Sequence, residues 1–152
     1  MGMFDAIDVS GSGLSAERLR MDVTAENLAN AETTRTGTGG PYRRKDVVLA
    51  AAQPDSFGTV LAGAVGSVPG AGGAQPVGGV EVTGIVNDNS PPRMVYDPGH
   101  PDANAQGYVA MPNVNPVTEM VDLISASRAY EANVTAMQTA KQMFSKTFDL
   151  LR

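Results

Sequence analysis

The segment NPVTEMVDLISASRAYEANVTAMQTAKQMFSKTFDLLR, residues 115–152, decides the fold of this chain. Asn115 is a favourable N-cap, and Pro116 suits the first helical position, where its missing N–H group is not needed. No glycine or proline follows Pro116, so an uninterrupted helix here would be about 55 Å long. A seven-residue apolar repeat predicts that this helix buries a narrow stripe against another helix. Its members are Leu123, Tyr130, Met137, Phe144 and Leu151, with Met120, Val134 and Phe148 completing the stripe and Ser127 and Lys141 interrupting it.

A second repeat of the same period lies at the front of the chain, where residues 4–31 are predicted to be helical. Its members are Ile7, Leu14, Met21 and Leu28. Gly11 and Gly13 interrupt this pattern, and each interior glycine costs roughly 1 kcal/mol relative to alanine. Either the helix kinks there, or its stable part begins with Ser12 as the N-cap. The fold class is therefore mainly α with a small β part, with the two terminal helices pairing in a coiled-coil-like bundle.

The middle region has the composition of loops and short strands. Residues 47–49 and 108–110 are predicted as short strands, and residues 80–86 and 94–96 as a hairpin across a turn-rich connection. Residues 58–79 are rich in glycine, alanine, proline and valine and carry no charge, which indicates a flexible or partner-ordered loop. We therefore divide the chain into an N-terminal axial helix (1–34), a middle region (35–114, with a flexible insertion at 53–79) and a C-terminal axial helix (115–152).

Composition excludes several functions. The net charge of −5 is unlike that of a nucleic-acid-binding protein, and the absence of cysteine excludes thiol catalysis, cysteine-based zinc sites and disulfides. The single basic cluster, residues 42–45, indicates a solvated turn or a contact to an acidic neighbour, with nucleic-acid binding as the alternative. No apolar run is long enough to span a bilayer, and the front lacks the pattern of a cleavable secretory signal. These signals alone point to the cytoplasm, unless export reads an uncleaved N-terminus.

Few residues in this chain suggest chemistry. His100, the only histidine, lies between Asp97 and Asp102 in a segment of proline and glycine. This pattern predicts a rigid turn in which both aspartates accept hydrogen bonds from backbone N–H groups, rather than a metal or acid–base site. Asn27 and Asn30 share one helical face, where they either fix the register between packed helices or serve as exposed or C-capping residues. We predict no catalytic residue, no bound metal and no cofactor.

Several motifs resemble the bacterial flagellar rod and hook proteins. The N-terminal signature comprises AENLANAETT (25–34) and GPYRR (40–44). The remaining motifs, SPPR (90–93), VYDPGHP (95–101), GYVAMPNVN (107–115), EMVD (119–122) and SASRAYEAN (125–133), are similar to those of proximal rod proteins in that family. The similarity covers both ends and residues 80–116.

This resemblance implies a subunit that stacks helically in the rod, transmits torque, encloses the export channel and is required for motility. It implies that other rod proteins, copies of this chain, the flagellar export apparatus and inner-membrane ring proteins are partners, without nucleic acid or membrane insertion. It also implies a periplasmic location after export without a cleaved signal, which replaces the cytoplasmic expectation. A soluble helical adaptor and an enzyme built around His100 are the competing hypotheses. The expected assembly interface comprises Leu14, Met21, Asn27, Leu28, Asn30, Met120, Leu123, Tyr130, Met137, Phe144 and Leu151.

Overall fold

A computed structural model describes residues 3–37, 39–52 and 78–150 of the chain. Along the chain, four short strands lie between two long helices. The elements are α1 (Met3–Ala29), β1 (Lys45–Ala51), β2 (Val80–Asn87), β3 (Arg93–Tyr96), β4 (Tyr108–Met111) and α2 (Pro116–Leu150). The prediction of a mainly helical chain with a small β part is confirmed. Most of the predicted flexible insertion, residues 53–77, lies outside the described residues.

Helix α2 begins where its sequence signals place it. The Asn115 side chain accepts a hydrogen bond from the Val117 amide at 3.1 Å, and Pro116 is the first helical residue. Its 35 residues extend about 52 Å. Glu119 in the first turn places a carboxylate near the positive end of the helix dipole.

Helix α1 continues through both glycines, so the alternative in which the stable helix begins with Ser12 as an N-cap is wrong. Ser12 lies inside the helix, and its hydroxyl donates to the Val9 carbonyl at 2.8 Å. The same oxygen accepts a hydrogen bond from the amide of Val80 at 3.0 Å. Ser12 therefore lies inside α1 and also has a hydrogen-bond partner outside the helix, at the start of β2.

The strands form two separate antiparallel sheets, β1 with β2 and β3 with β4. The predicted hairpin between residues 80–86 and 94–96 is therefore wrong, although both strands exist. Strand β2 pairs along its length with β1, from Lys45 opposite Asn87 to Ala51 opposite Val80. The connection from β2 to β3 contains Pro91 and Pro92, which cannot donate to a hydrogen-bonded ladder. Strand β3 pairs instead with β4 across the turn at residues 97–107.

The two helices run antiparallel and pack against each other, and α1 also contacts the β1–β2 sheet. The end of α1 meets the start of α2 through Asn27 and Glu119, while Gly11 lies near Met137. Most of the buried residues are small or medium in size: Ala16, Val23, Ala31, Val109, Val114, Ala126 and Ala140, together with Tyr42.

Candidate assembly interface

The described residues of the two seven-residue repeats keep part of their surface exposed in the single chain. Leu14, Met21, Leu28, Leu123, Tyr130 and Met137 are each half-buried, and Met120 and Phe144 are exposed. Leu151 lies outside the described residues. The fully buried positions of the helices belong to a different set, which includes Ala16, Val23, Ala126 and Ala140. The apolar repeats thus keep surface that a neighbouring molecule can cover.

Small residues set the spacing between the helices. A Cβ atom added to Gly13 would lie 2.9 Å from Nδ2 of Asn133, and one added to Gly11 would lie 3.9 Å from Cε of Met137. The first distance is too short for an unshifted contact, so a side chain at position 13 would displace Asn133. Gly13 therefore leaves room for the Asn133 side chain where the two helices meet, whereas a methyl group at position 11 would make an ordinary contact.

A buried polar cluster joins the end of α1 to β1 and to the start of α2. We call Asn27, Tyr42, Arg44, Lys45 and Glu119 the polar junction. Asn27 is only 1% exposed. Its Nδ2 group donates to the Lys45 carbonyl at 2.8 Å and to Oε2 of Glu119 at 3.1 Å. Its Oδ1 atom accepts from the Lys45 amide at 2.9 Å and from the Tyr42 hydroxyl at 2.9 Å.

Charge is balanced within this junction by Glu119 and Arg44. The Glu119 side chain is 1% exposed, and its Oε1 atom accepts a hydrogen bond from Nε of Arg44 at 2.6 Å. This hydrogen bond raises the pKa of Arg44 above its ordinary value, which keeps the guanidinium charged. Arg44 also lies 3.7 Å from Asp122, one turn further along α2. A buried carboxylate whose only cation is removed is strongly destabilising, so these partners depend on each other.

Tyr42 closes the junction from the loop that follows α1. Burial is the main cause that raises the pKa of Tyr42 to about 12, and the nearby carboxylates of Glu26 and Glu119 add to it. Lys45 pairs with Glu26 at 2.5 Å and lies 5.8 Å from the centre of the Tyr42 ring. The basic cluster at 42–45 is thus engaged with acidic neighbours through Arg44 and Lys45, as one of its interpretations predicted.

The two asparagines singled out in the sequence have different roles. Asn27 bridges three segments of the chain, whereas Asn30 donates to the Glu26 carbonyl at 2.9 Å and accepts from the Thr33 hydroxyl at 3.2 Å. The contacts of Asn30 are therefore local to the end of α1, as expected of a C-capping residue. Nothing in their similar sequence context distinguishes the two, because the partners of Asn27 lie far away in sequence.

An exposed apolar face on the first turns of α2 consists mostly of residues outside the seven-residue repeat, and only Met120 of this face was expected from the sequence. Val117, Val121 and Ile124 are 64%, 59% and 55% exposed, and Met120 lies beside them. Their spacing places them opposite the buried positions Glu119 and Ala126 on the helix. We call these four residues the outer face of α2. The signal that would have found it is the spacing of four and three residues between positions 117, 121 and 124.

Side chains of the turn around His100 accept hydrogen bonds from backbone amides of the same turn. Asp97 accepts from the Gly99 amide at 3.1 Å, as predicted, and Nδ1 of His100 accepts from the Asp102 amide at 3.1 Å. The prediction that Asp102 also accepts from the backbone is wrong, because its carboxylate accepts from the Thr34 hydroxyl at 2.8 Å. Among residues 3–37, 39–52 and 78–150, no group of three or more histidine or acidic side chains could hold a metal ion. Within those ranges, neither helix is both long and apolar enough to cross a membrane.

Comparison with known proteins identifies relatives along the whole chain. The family described as "Flagella basal body rod protein" matches residues 7–35, and "Flagellar basal body rod FlgEFG protein C-terminal" matches residues 105–150. The flagellar basal-body rod protein FlgC of Bacillus subtilis (strain 168) is 47% identical over 154 residues, which cover 99% of each chain. FlgC of Borreliella burgdorferi is 43% identical over 100% of this chain and 99% of its own. FlgC of Salmonella typhimurium is 41% identical over 99% of this chain and 98% of its own.

Proposed function

This chain belongs to the family of flagellar basal-body rod proteins named FlgC, and we propose that it builds the rod through the outer face of α2 and the half-buried repeats. It is a structural subunit of the flagellar basal-body rod and not an enzyme. The finer proposal concerns how its surfaces join neighbouring subunits in the proximal rod.

The exposure of the outer face of α2 is the observation that carries the proposal. Val117, Val121 and Ile124 each leave more than half of their side-chain surface in water. Complete burial of a valine or isoleucine contributes about 1.5–3 kcal/mol, so covering the uncovered half of these three contributes about 2–5 kcal/mol. Contiguous apolar surface of this kind is typical of a protein–protein contact. An axial helix from a neighbouring rod subunit has the length and apolar stripe to cover it.

The half-buried repeats add a second contact along the seam between the helices. We propose that Leu14, Met21, Leu28, Leu123, Tyr130 and Met137 complete their burial against neighbouring subunits, with exposed Met120 and Phe144 at the ends. Leu151 continues this interface in the same proposal. Asn27 supports it from within by holding the end of α1 against Lys45 and α2, and Asn30 supports it locally, by accepting from the Thr33 hydroxyl just after α1.

We propose that the polar junction transmits torque between the middle region and the axial helices. It ties β1 to both helices through Asn27, Arg44 and Glu119. Under the proposed division of the chain into 1–34, 35–114 and 115–152, it connects the middle region to the axial helices. A torque applied to one part then reaches the other through buried, charge-assisted hydrogen bonds rather than through a flexible linker.

The cellular setting follows from the same proposal. We propose that the subunit leaves the cytoplasm through the flagellar export apparatus without a cleaved signal and joins the rod in the periplasm. There it would contact other rod proteins, copies of itself and inner-membrane ring proteins, and its axial helices would surround the export channel. The resemblance of both terminal segments to axial proteins supports this location.

The test is a charge on the outer face of α2 with a matched control. Ile124→Asp places a carboxylate in the proposed contact, whereas Gln142→Asp introduces the same group eighteen residues later, about five turns along the same side of α2. We expect Ile124→Asp to abolish swimming and to leave basal bodies without a complete rod, because burying an unpaired charge costs several kcal/mol. We expect Gln142→Asp cells to swim, since the position is polar and exposed. Swimming in soft agar, electron micrographs of basal bodies and circular dichroism of both purified variants are the measurements. Normal rods with Ile124→Asp would contradict the proposal.

A further inference from the structure

The second sheet presents a tyrosine-rich surface that the helix contacts do not use. Met94, Tyr96 and Tyr108 share one face of the β3–β4 sheet, because Tyr96 and Tyr108 are directly opposite each other and Met94 is two residues from Tyr96. They are 53%, 65% and 41% exposed. The opposite face carries Val109, which is completely buried. We call Met94, Tyr96 and Tyr108 the tyrosine face.

We propose that the tyrosine face binds the segment Pro91–Pro92–Arg93 of a second copy of this chain. The inference rests on the proposed function, in which copies of the chain are neighbours in the rod. It adds a contact between outer parts of the subunits to the contacts between axial helices.

The tyrosine face is rigid before any partner arrives. The two rings stack edge to face with centroids 5.3 Å apart. Gly107 lies beneath them with φ of +80°, and a Cβ atom there would come within 2.9 Å of Cε2 of Tyr96. The Gly107 carbonyl also accepts a hydrogen bond from the Asp97 amide at 2.9 Å. Ordering such a surface on binding therefore loses little conformational entropy.

The chemistry of the tyrosine face fits a proline-rich strand. Consecutive prolines favour the extended polyproline II conformation, whose rings stack on aromatic side chains and whose free carbonyls accept hydrogen bonds. The hydroxyls of Tyr96 and Tyr108 have no hydrogen bond to any residue in the described ranges, so they are available as donors. Pro91 and Pro92 are both exposed, and they provide this ligand within the same chain.

The positive charge of Arg93, which follows the two prolines, is complementary to the negative charge of Asp97 beside the tyrosine face. The Arg93 side chain is exposed and has no ion pair or hydrogen bond with the residues that the structure describes, although the backbone of Arg93 pairs with Met111 in the sheet. Asp97 directly follows Tyr96, and only its Oδ1 atom is engaged, by the Gly99 amide. A strand that lays Pro91 and Pro92 on the two rings brings Arg93 toward Asp97 of the other copy.

The contact must join different copies. Pro92 lies immediately before β3, about 13 Å along the extended chain from Tyr96, so it cannot fold back onto the face of its own strand. The segment and the tyrosine face are different surfaces, so their pairing is heterologous, and repeating it generates a ring or a helix. Such a repeat matches the geometry of a rod.

The test uses the absence of cysteine in the chain. Ser90→Cys marks the proline segment and Gln106→Cys marks the turn beside Tyr108, and both positions are exposed. The two variants are produced together in cells without the unmodified chain, and isolated basal bodies are treated with a short thiol-to-thiol cross-linker. We expect a cross-linked dimer of this chain only when both variants are present. Adding Tyr96→Ser to the Gln106→Cys variant is expected to reduce the dimer several-fold, and adding Val86→Ser, at an exposed site on the other sheet, is expected to leave it unchanged.

Three results would overturn the inference. The first is no dimer although immunoblots detect both variants in the basal bodies. The second is cross-linking of Gln106→Cys to a protein other than this chain. The third is a dimer that persists undiminished with Tyr96→Ser. Absence of the unmodified chain from basal bodies would instead contradict the proposed function, and this inference with it.

Discussion

Replacing Asn27 by alanine is expected to remove the centre of the polar junction. The substitution deletes four hydrogen bonds, with the Tyr42 hydroxyl, with Oε2 of Glu119 and with the amide and carbonyl of Lys45. Each intramolecular hydrogen bond contributes about 1 kcal/mol net, and one of these involves a charged partner, so the loss is about 4–5 kcal/mol. The higher helix propensity of alanine offsets about 0.5 kcal/mol of it. We expect the free energy of unfolding to fall by about 4 kcal/mol.

Asn30 provides the matched control three residues further along the chain, in the turn that directly follows α1. Asn30→Ala deletes two local contacts, with the Glu26 carbonyl and the Thr33 hydroxyl, at a half-exposed site where water can replace them. We expect this variant to lose about 1 kcal/mol or less. Urea unfolding of the purified chain, followed by far-ultraviolet circular dichroism, measures both. The corresponding midpoints of thermal unfolding should differ by about 10 °C, at roughly 2–4 °C per kcal/mol for a chain of this size.

Two outcomes would contradict the role given to Asn27. Equal losses for Asn27→Ala and Asn30→Ala would mean that burial and bridging of Asn27 add nothing to a capping contact. A loss below about 1 kcal/mol for Asn27→Ala would mean that water fills the vacated site and satisfies Glu119 and Lys45. The slope of the unfolding free energy against urea must stay constant among the variants, since a changed slope reports a change in the unfolded or native state rather than in the junction.

Two further predictions concern the helix seam and pH. Gly11→Ala is expected to raise the free energy of unfolding by about 0.5–1 kcal/mol, because the added Cβ contacts only Met137, at an ordinary distance. Gly13→Leu is expected to lower it by about 1–3 kcal/mol, because the new side chain clashes with Asn133. Urea unfolding of both variants measures whether the two changes have opposite signs. The raised pKa of Tyr42, about 12 against an ordinary 10, predicts that its contribution is fully present below pH 10 and is lost as pH rises toward 12. The stability difference between the unmodified chain and Tyr42→Phe should therefore shrink over that range, and a difference independent of pH would contradict the assignment.

The helices were predictable because their signals are local. Asn115, Pro116 and the absence of later glycine or proline fix the start and continuity of α2 without reference to the rest of the chain. The strands at 47–49 and 108–110 were also recognisable from composition, and the structure contains both within slightly longer elements. Which strands pair was not predictable from their order in the sequence. Strand β2 pairs with β1, which lies on the other side of the stretch 53–77, and not with the next strand, β3.

The contacts of the polar junction could not be predicted from the sequence. Asn27 and Glu119 are 92 positions apart, and no periodicity relates an amide in one helix to a carboxylate in another. The sequence left open whether Asn27 fixes register or caps the helix, and whether the basic cluster meets solvent or an acidic neighbour. In the structure Asn27 bonds Glu119 of the other helix, and Arg44 and Lys45 pair with acidic side chains. What the sequence lacked was the identity of the partners, because this depends on how β1 lies against both helices.

The junction and the exposed faces together explain why so small a core suffices. A chain with few aromatic residues and mostly small buried side chains gains little from internal apolar burial. Buried hydrogen bonds around Asn27 and Glu119 instead specify how the parts meet, and breaking them is costly because the buried partner groups are left unsatisfied. The larger apolar side chains, such as Ile124 and Tyr96, lie on the outside, where only a neighbour can bury them. Under the proposed function, polar contacts specify the subunit internally and assembly buries its exposed apolar faces, which is the division expected of a protein whose working state is a polymer.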